Sequence, residues 1–272
     1  MPEPVPYSGS KRSRAMAGGQ GFSRATRPGG LYAATLVALA LLGSALLEPG
    51  RCKAQTPAAP AQRFVVVLDA SHGGTETGGR LGDASSQMQF EKIYTLALSV
   101  RLRSLLAARG VSVVTTREAD IVVDSDRRAE IANRAHAQAC LTLHASQAGT
   151  GVHIYASSLT PADPAAMLPW KTAQAAWVTR SLALAGVLNS ALAHAGLNVA
   201  LGRTDLPTID SMACPALAIE IGKNSSADAT QNGGFDDPDY QARIAQALAA
   251  GILEWKSNGW GTSAAPAEVA RP

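Results

Sequence analysis

Short apolar runs rich in β-branched residues alternate along the chain with segments of helical periodicity. The runs predict strands over residues 64–68, 111–115, 140–144, 151–155 and 216–221. The helical spacing predicts helices over residues 91–109, 125–137, 173–195 and 238–255. Strands separated by helices form βαβ units, so the pattern predicts an α/β fold with a mostly parallel sheet and helices on both faces.

Three further details of this pattern give expectations for individual segments of the chain. In the first predicted helix, apolar residues follow the i, i+3, i+4, i+7 spacing from Ile93 to Val100. A short glycine turn at residues 149–151 joins the third predicted strand to the fourth. Residues 157–177 are interrupted by several prolines, and we expect them to form a loop over the cleft, with a helix that plugs the site as the alternative.

The chain begins with a segment of a different kind. Residues 1–30 carry Lys11, Arg12, Arg14, Arg24 and Arg27 against Glu3 alone, and residues 31–47 form an uncharged apolar run behind them. This order is typical of a secretory leader. It predicts that the remainder is exported, either to the periplasm or to the extracellular cell-wall side. Residues 31–47 are then either removed or kept as a membrane anchor.

The composition also predicts the domain limits. The leader spans 1–54, and a Pro/Ala linker without core-forming side chains spans 55–62. One catalytic domain follows over 63–256, with a flexible tail at 257–272.

The charge distribution argues against a nucleic-acid partner. The net charge is +3 for the whole chain, of which the leader supplies about +4, so the remainder sums to about −1. A nucleic-acid-binding domain needs a basic face on its folded part. We therefore expect no nucleic-acid partner.

The cysteines, Cys52, Cys140 and Cys214, fit no zinc-finger spacing. Cys140 and Cys214 each begin an apolar run, which favours buried free thiols. An exported location also permits a disulfide, so a bond between these two is the alternative.

Four side chains suited to metal-dependent hydrolysis fall near the ends of predicted elements. His72 follows the first strand by a turn, and His144 closes the third. Glu91 opens the first helix, while Glu220 lies near the end of the last strand. Ligands of parallel α/β sheets bind beyond the carboxyl ends of the strands, so we expect the four to meet at one edge. Two imidazoles and a carboxylate are a common ligand set for catalytic zinc, and a further carboxylate can act as general base.

The remaining histidines do not share this placement. His136 lies on a polar helix face, His153 in a strand beside a glycine turn, and His194 near a helix end. We interpret them as structural or solvated. Asp236 and Asp237 are interpreted as helix-start residues rather than an acidic ligand pair.

Five ordered motifs resemble those of the zinc-dependent N-acetylmuramoyl-L-alanine amidases of bacterial cell-wall lysis. Asp69-Ala70-Ser71-His72-Gly73-Gly74 is similar to the family's Asp-Pro-Gly-His-Gly-Gly, and Glu91-Lys92 is similar to its Glu-Lys element. The others are TTR at 115–117 followed by RAEIAN at 128–133, LHAS at 143–146 and PALAIEIG at 215–222. Their order and spacing hold from about residue 64 to 253, which is the whole predicted domain.

The resemblance implies a phosphorylase/hydrolase-like fold and hydrolysis of the lactyl amide that joins N-acetylmuramic acid to L-alanine in peptidoglycan. It implies His72, Glu91 and His144 as ligands of Zn²⁺ and Glu220 as the general base. We recognise no wall-binding module, so targeting is expected to depend on the leader, the domain surface or an activator protein. Two alternatives stand beside this one: a non-catalytic peptidoglycan-binding or regulatory protein on the same fold, and a zinc peptidase acting on the stem peptide.

Overall fold

A computed structural model describes residues 63–82, 89–224, 235 and 237–259. The predicted leader and linker, and most of the predicted tail, lie outside these residues, so their boundaries stay predictions. Within the described residues, no helix has the length and apolar character needed to span a membrane. The apolar run at 31–47 lies outside that part of the chain.

The strands form a central sheet and a small separate ladder. They are β1 (Val65–Ala70), β2 (Arg80–Leu81), β3 (Gln89–Phe90), β4 (Ser112–Thr115), β5 (Ala139–Thr150), β6 (Val152–Ser157), β7 (Val199–Thr204) and β8 (Ala216–Lys223). The six-stranded sheet has the order β4-β1-β5-β8-β6-β7, and β2 pairs with β3. Within the large sheet only β6 and β8 are antiparallel neighbours. The prediction of a mostly parallel α/β sheet is confirmed.

Helices cover both faces of this sheet. They are α1 (Glu91–Ala107), α2 (Ser125–Arg134), α3 (Val178–His194), α4 (Pro207–Asp210) and α5 (Pro238–Ser257). Apolar side chains of α1, α3 and α5 pack on the face that carries Leu68, Leu143 and Ile219. Helices α2 and α4 pack on the opposite face, which carries Val67 and Ala218. Alternate residues of each strand point to opposite faces, so apolar runs can bury both.

The helix predicted over residues 173–195 is divided in the structure. A 3-10 helix covers Trp170–Ala176, and α3 follows after Trp177, whose φ of −116° lies outside the helical range. The buried Gln174 side chain donates from Nε2 to the carbonyl oxygen of Cys214 at 3.0 Å. This contact holds the 3-10 helix against the chain that leads into β8, out of line with α3.

The direction of β6 moves residues 157–177 away from their predicted place. After the glycine turn, β6 pairs with β8 in antiparallel register, with Ile154 opposite Ile219. The carboxyl end of β6 therefore lies beside the amino end of β8. The candidate site lies at the other end of these strands, towards the carboxyl end of β8. From there the segment packs on α2, where Lys171 pairs with Asp126. The prediction that it covers the cleft is wrong, because other segments line that cleft.

Helix α1 carries apolar residues on two sides. The spacing that begins at Ile93 identifies the helix correctly, but Ile93 is 46% exposed and Val100 is 44% exposed. The side that packs on the sheet is formed by offset residues, including Tyr94, Leu98 and Leu102. Side-chain contacts with distant strands, rather than the local spacing, determine which side is buried.

Cys140, the second residue of β5, forms a disulfide with Cys214, which lies two residues before β8. Both residues are buried, as predicted, but their interpretation as free thiols is wrong. The reason is the parallel pairing of β5 with β8, which places Cys140 opposite Ala216. The two cysteine Cα atoms then lie 6.4 Å apart, within the range that a disulfide spans.

Replacing both Cys140 and Cys214 with serine is expected to lower the free energy of unfolding by about 2–4 kcal/mol. The bond joins residues 74 positions apart, and its loss leaves the unfolded chain less constrained. Denaturant unfolding of the oxidised protein and the double variant measures the difference, with Cys52→Ser in the predicted leader as the control. Equal alkylation of Cys140 and Cys214 with and without prior reduction would contradict the disulfide itself.

Candidate metal centre

His72 lies two residues after β1 in a sharp turn. Its φ is 59°, and those of Gly73 and Gly74 are 139° and 58°. These are left-handed values that glycine tolerates best. A Cβ on Gly73 would stand 2.1 Å from the carbonyl oxygen of Ile121, so the close approach of the two chains needs glycine there. The turn brings His72 Nε2 to 3.2 Å from Glu91 Oε2.

A buried ion pair supports the backbone of this turn. Arg128 on α2 places Nη1 2.5 Å from Asp69 Oδ1, and Nη2 donates to the carbonyl oxygen of His72 at 2.8 Å. Arg117 donates from Nη2 to the carbonyl oxygen of Ser71 at 3.0 Å. The Arg128 and Asp69 side chains are 7% and 1% exposed, so little water competes for these bonds. The two guanidinium groups fix the chain on either side of the His72 ring.

Glu91, the first residue of α1, joins the two imidazoles. Its Oε1 lies 3.0 Å from His144 Nδ1 and accepts the Ala145 N–H at 3.1 Å. Its Oε2 lies 3.2 Å from His72 Nε2 and accepts the Gly79 N–H at 2.9 Å. Burial by itself raises the pKa of Glu91, but the hydrogen bonds from both imidazoles and both N–H groups outweigh it. The pKa therefore lies far below its ordinary value, and the carboxylate is ionised.

His144 and Glu220 are opposite residues on the parallel strands β5 and β8. Residues paired in this way point to the same face of a sheet. Because β5 continues to Thr150, His144 lies within its strand and does not close it as predicted. Both side chains line a cavity of about 480 Å³; its other lining residues are Gly79, Arg80, Glu91, Ala145, Ser146, Gln147 and Ala148.

Three of the predicted site residues form one cluster. A ligand atom from each of His72, Glu91 and His144 lies within 4.8 Å of the other two. The imidazole rings meet edge to face with centroids 5.7 Å apart, and a different carboxylate oxygen of Glu91 faces each ring. Two ring nitrogens and one ionised carboxylate fit a divalent metal such as zinc. Glu220 lines the same cavity and lies outside this group of ligands.

Arg128→Lys is expected to weaken metal binding by about 10- to 100-fold, the usual effect of losing support behind a ligand. Lysine keeps a positive charge beside Asp69 but lacks the planar fork that also reaches the His72 carbonyl oxygen. Competition with a chelator measures the affinity. Arg134→Lys, an exposed change on the same helix, is the control. An unchanged affinity in Arg128→Lys would mean that Arg128 does not position His72.

The other histidines lie apart from this cluster. His136 is exposed just after α2, and His194 ends α3 with Nδ1 2.8 Å from the carbonyl oxygen of Ser190. His153 pairs with Glu220 across β6 and β8, a proximity that the sequence did not predict. Its Nε2 lies 3.2 Å from the carbonyl oxygen of Thr150, the last residue of β5.

Asp237 has the predicted role at the start of a helix. Asp237 precedes α5 and accepts the backbone N–H of Asp239 at 2.9 Å. Asp236 lies outside the described residues.

Several known proteins resemble this chain in amino-acid sequence and in the fold of the described domain. A family model described as N-acetylmuramoyl-L-alanine amidase matches residues 66–254. AmiA of Escherichia coli (strain K12), an N-acetylmuramoyl-L-alanine amidase, is 37% identical over 81 residues, which are 30% of this chain and 27% of AmiA. LytH of Staphylococcus saprophyticus, a probable cell wall amidase, is 37% identical over 71 residues, which are 26% of this chain and 24% of LytH. These matches span well under half of either relative.

The catalytic domain of CwlV, an N-acetylmuramoyl-L-alanine amidase from Paenibacillus polymyxa, has a similar structure. It superposes with a TM-score of 0.55 at 26% identity, covering 71% of this chain and 98% of that domain. AmiC2 of Nostoc punctiforme has the same fold, with a TM-score of 0.55 at 22% identity over 72% of this chain and 98% of that one.

Proposed function

Because the chain belongs to the N-acetylmuramoyl-L-alanine amidase family, we propose that it hydrolyses the amide bond between N-acetylmuramic acid and L-alanine in peptidoglycan. The observation that carries this proposal is the cluster of His72, Glu91 and His144, of which Glu91 and His144 line one cavity with Glu220. All four lie within the matched residues 66–254. A non-catalytic protein on this fold would have no need to keep a complete set of ligands and a base.

His72, Glu91 and His144 would hold the metal, which we propose is Zn²⁺. Bound there, it would polarise the carbonyl oxygen of the substrate amide and lower the pKa of the attacking water. Glu91 is suited to a ligand role because its carboxylate is ionised and is held by the N–H groups of Gly79 and Ala145.

Glu220 is the proposed general base. Its carboxylate accepts a proton from the attacking water while the water oxygen bonds to the amide carbon. Glu220 then gives that proton to the nitrogen of L-alanine as the carbon–nitrogen bond breaks, so the stem peptide leaves with a free amino terminus. Glu220 is half-buried and lines the cavity that Glu91 and His144 also line, which supports this role.

Mass analysis of the products from purified peptidoglycan tests this function. Amidase activity releases intact stem peptides that begin with L-alanine and leaves unsubstituted lactyl groups on the glycan. Shortened stem peptides still attached to the glycan would identify a zinc peptidase instead. Binding to peptidoglycan without any product would favour the non-catalytic alternative.

We also propose that the catalytic domain acts outside the cytoplasm, because the proposed substrate and the predicted leader both support that location. Residues 31–47, which would provide any membrane attachment, lie outside the described residues. A reporter that is active only in the cytoplasm, fused to the carboxyl terminus of the full chain, is expected to stay silent. A reporter signal equal to that of a chain without residues 1–54 would contradict export.

A further inference from the structure

Arg80 is a cation on the wall of the cavity that contains Glu91 and Glu220. It opens β2, and its backbone pairs with Phe90 immediately before α1. The preceding residue, Gly79, donates its N–H to Glu91 Oε2 at 2.9 Å, and its carbonyl oxygen accepts the Glu91 N–H at 2.9 Å. Arg80 is therefore attached to the same backbone that positions a candidate metal ligand.

The guanidinium of Arg80 forms no ion pair with any carboxylate in the described part of the chain. It lies over the Phe90 ring with Cζ 5.8 Å from the ring centroid, a contact that orients the group without neutralising its charge. Lys92 differs, because its Nζ lies 2.6 Å from Asp120 Oδ2. Among the described residues that line the cavity, Arg80 provides the one positive charge available to a ligand.

We propose that Arg80 forms a subsite for a carboxylate of the stem peptide. This inference rests on the proposed function. The residue that follows L-alanine in the stem is a D-glutamate, whose free carboxylate is replaced by an uncharged amide in some peptidoglycans. L-alanine and D-glutamate together span at most about 7 Å, so this carboxylate stays within reach of the walls of a cavity that holds the scissile amide. Arginine suits it because its planar fork can bind both oxygens of a carboxylate.

The charges in the cavity determine how much Arg80 contributes to binding an anionic stem peptide. The Zn²⁺ proposed to bind beside Glu91 and Glu220 matches their two negative charges, and Arg80 adds a further positive charge on the cavity wall that an anionic peptide can use. An amidated stem peptide lacks the charge and gains less from Arg80. We expect the full-length protein to prefer the acid form by about 10-fold, because hydrogen bonds between charged groups remain favourable even when partly screened by water.

The test compares two soluble fragments, the γ-methylamide of N-acetylmuramoyl-L-alanyl-D-glutamate and its D-isoglutamine counterpart, which differ only in whether the α-carboxyl group is a carboxylate or an uncharged amide. Calorimetric binding and release of the dipeptide are both measured with the full-length wild type and with Arg80→Gln, which keeps polarity but removes the charge. The acid preference, about 10-fold in the wild type, is expected to fall towards equality in Arg80→Gln and to be partly kept in Arg80→Lys. Arg109→Gln, an exposed change after the far end of α1, is expected to keep the full preference.

The outcomes separate this inference from the proposed function. Cleavage of both fragments with the same preference in the wild type and Arg80→Gln overturns the subsite and leaves the amidase function standing. Arg80-dependent binding of the acid fragment without cleavage supports the subsite and counts against the amidase function. A wild type that neither binds nor cleaves either fragment overturns both.

Discussion

Glu220→Gln is expected to keep its metal while turnover falls by about two to four orders of magnitude. Glutamine has nearly the same size and can still accept hydrogen bonds, but it cannot take a proton from the attacking water. Metal retention is expected because the proposed ligand atoms belong to His72, Glu91 and His144, which lie together without Glu220. The parallel register of β5 and β8 should also be unaffected, since it depends on backbone pairing.

Two measurements on the same purified samples test this variant. Elemental analysis gives zinc per chain, and release of stem peptides from peptidoglycan gives turnover. Glu254→Gln, an exposed change on α5, is the matched control and is expected to resemble the wild type in both. Loss of zinc from Glu220→Gln would make Glu220 a ligand, and near-normal turnover would assign the base to another residue.

His144→Ala is expected to lose most of its bound zinc, and with it all measurable turnover. Only His72 and Glu91 remain as protein ligands after this change, one fewer than catalytic zinc sites usually have. The Glu91 carboxylate keeps its bonds to the N–H groups of Ala145 and Gly79, at 3.1 and 2.9 Å, so the variant should still fold.

Zinc content after gel filtration, together with circular dichroism, distinguishes loss of metal from loss of fold. His194→Ala provides the matched control, because that side chain is exposed at the end of α3. Full zinc occupancy in a folded His144→Ala protein would exclude His144 as a ligand. If the His144→Ala variant were unfolded, the main contribution of His144 would be to the stability of the fold.

The order of strands and helices could be predicted because each element carries its own local signal. Strand direction could not, because an apolar run such as that of β6 reads the same whichever way the strand pairs. The edge strand β7 was also missed: Ala200 and Leu201 are exposed, so it lacks the continuous buried run that identified β1 and β8. Helix α1 presented two apolar sides, and only its contacts with the sheet decide between them.

Much of the candidate site could be predicted, since His72, Glu91 and His144 lie at element ends or in strands that converge on one edge. The residues that support them could not. Arg128 reaches Asp69 across 59 positions of the chain, and no local pattern marks an arginine as buried. The position of Arg80 could not be predicted either, because the β2–β3 pair that holds it has only two residues in each strand and therefore no recognisable strand pattern.

The disulfide has a consequence for resistance to proteases. It joins β5 and β8 near their amino ends, and these strands carry His144 and Glu220. Proteases cleave chains that open transiently, and with the bond in place any opening that separates these two strands must leave them tethered. The disulfide is therefore expected to protect from proteolysis the two strands that carry the candidate catalytic residues. Limited digestion of oxidised and reduced protein should differ first in fragments that contain these strands.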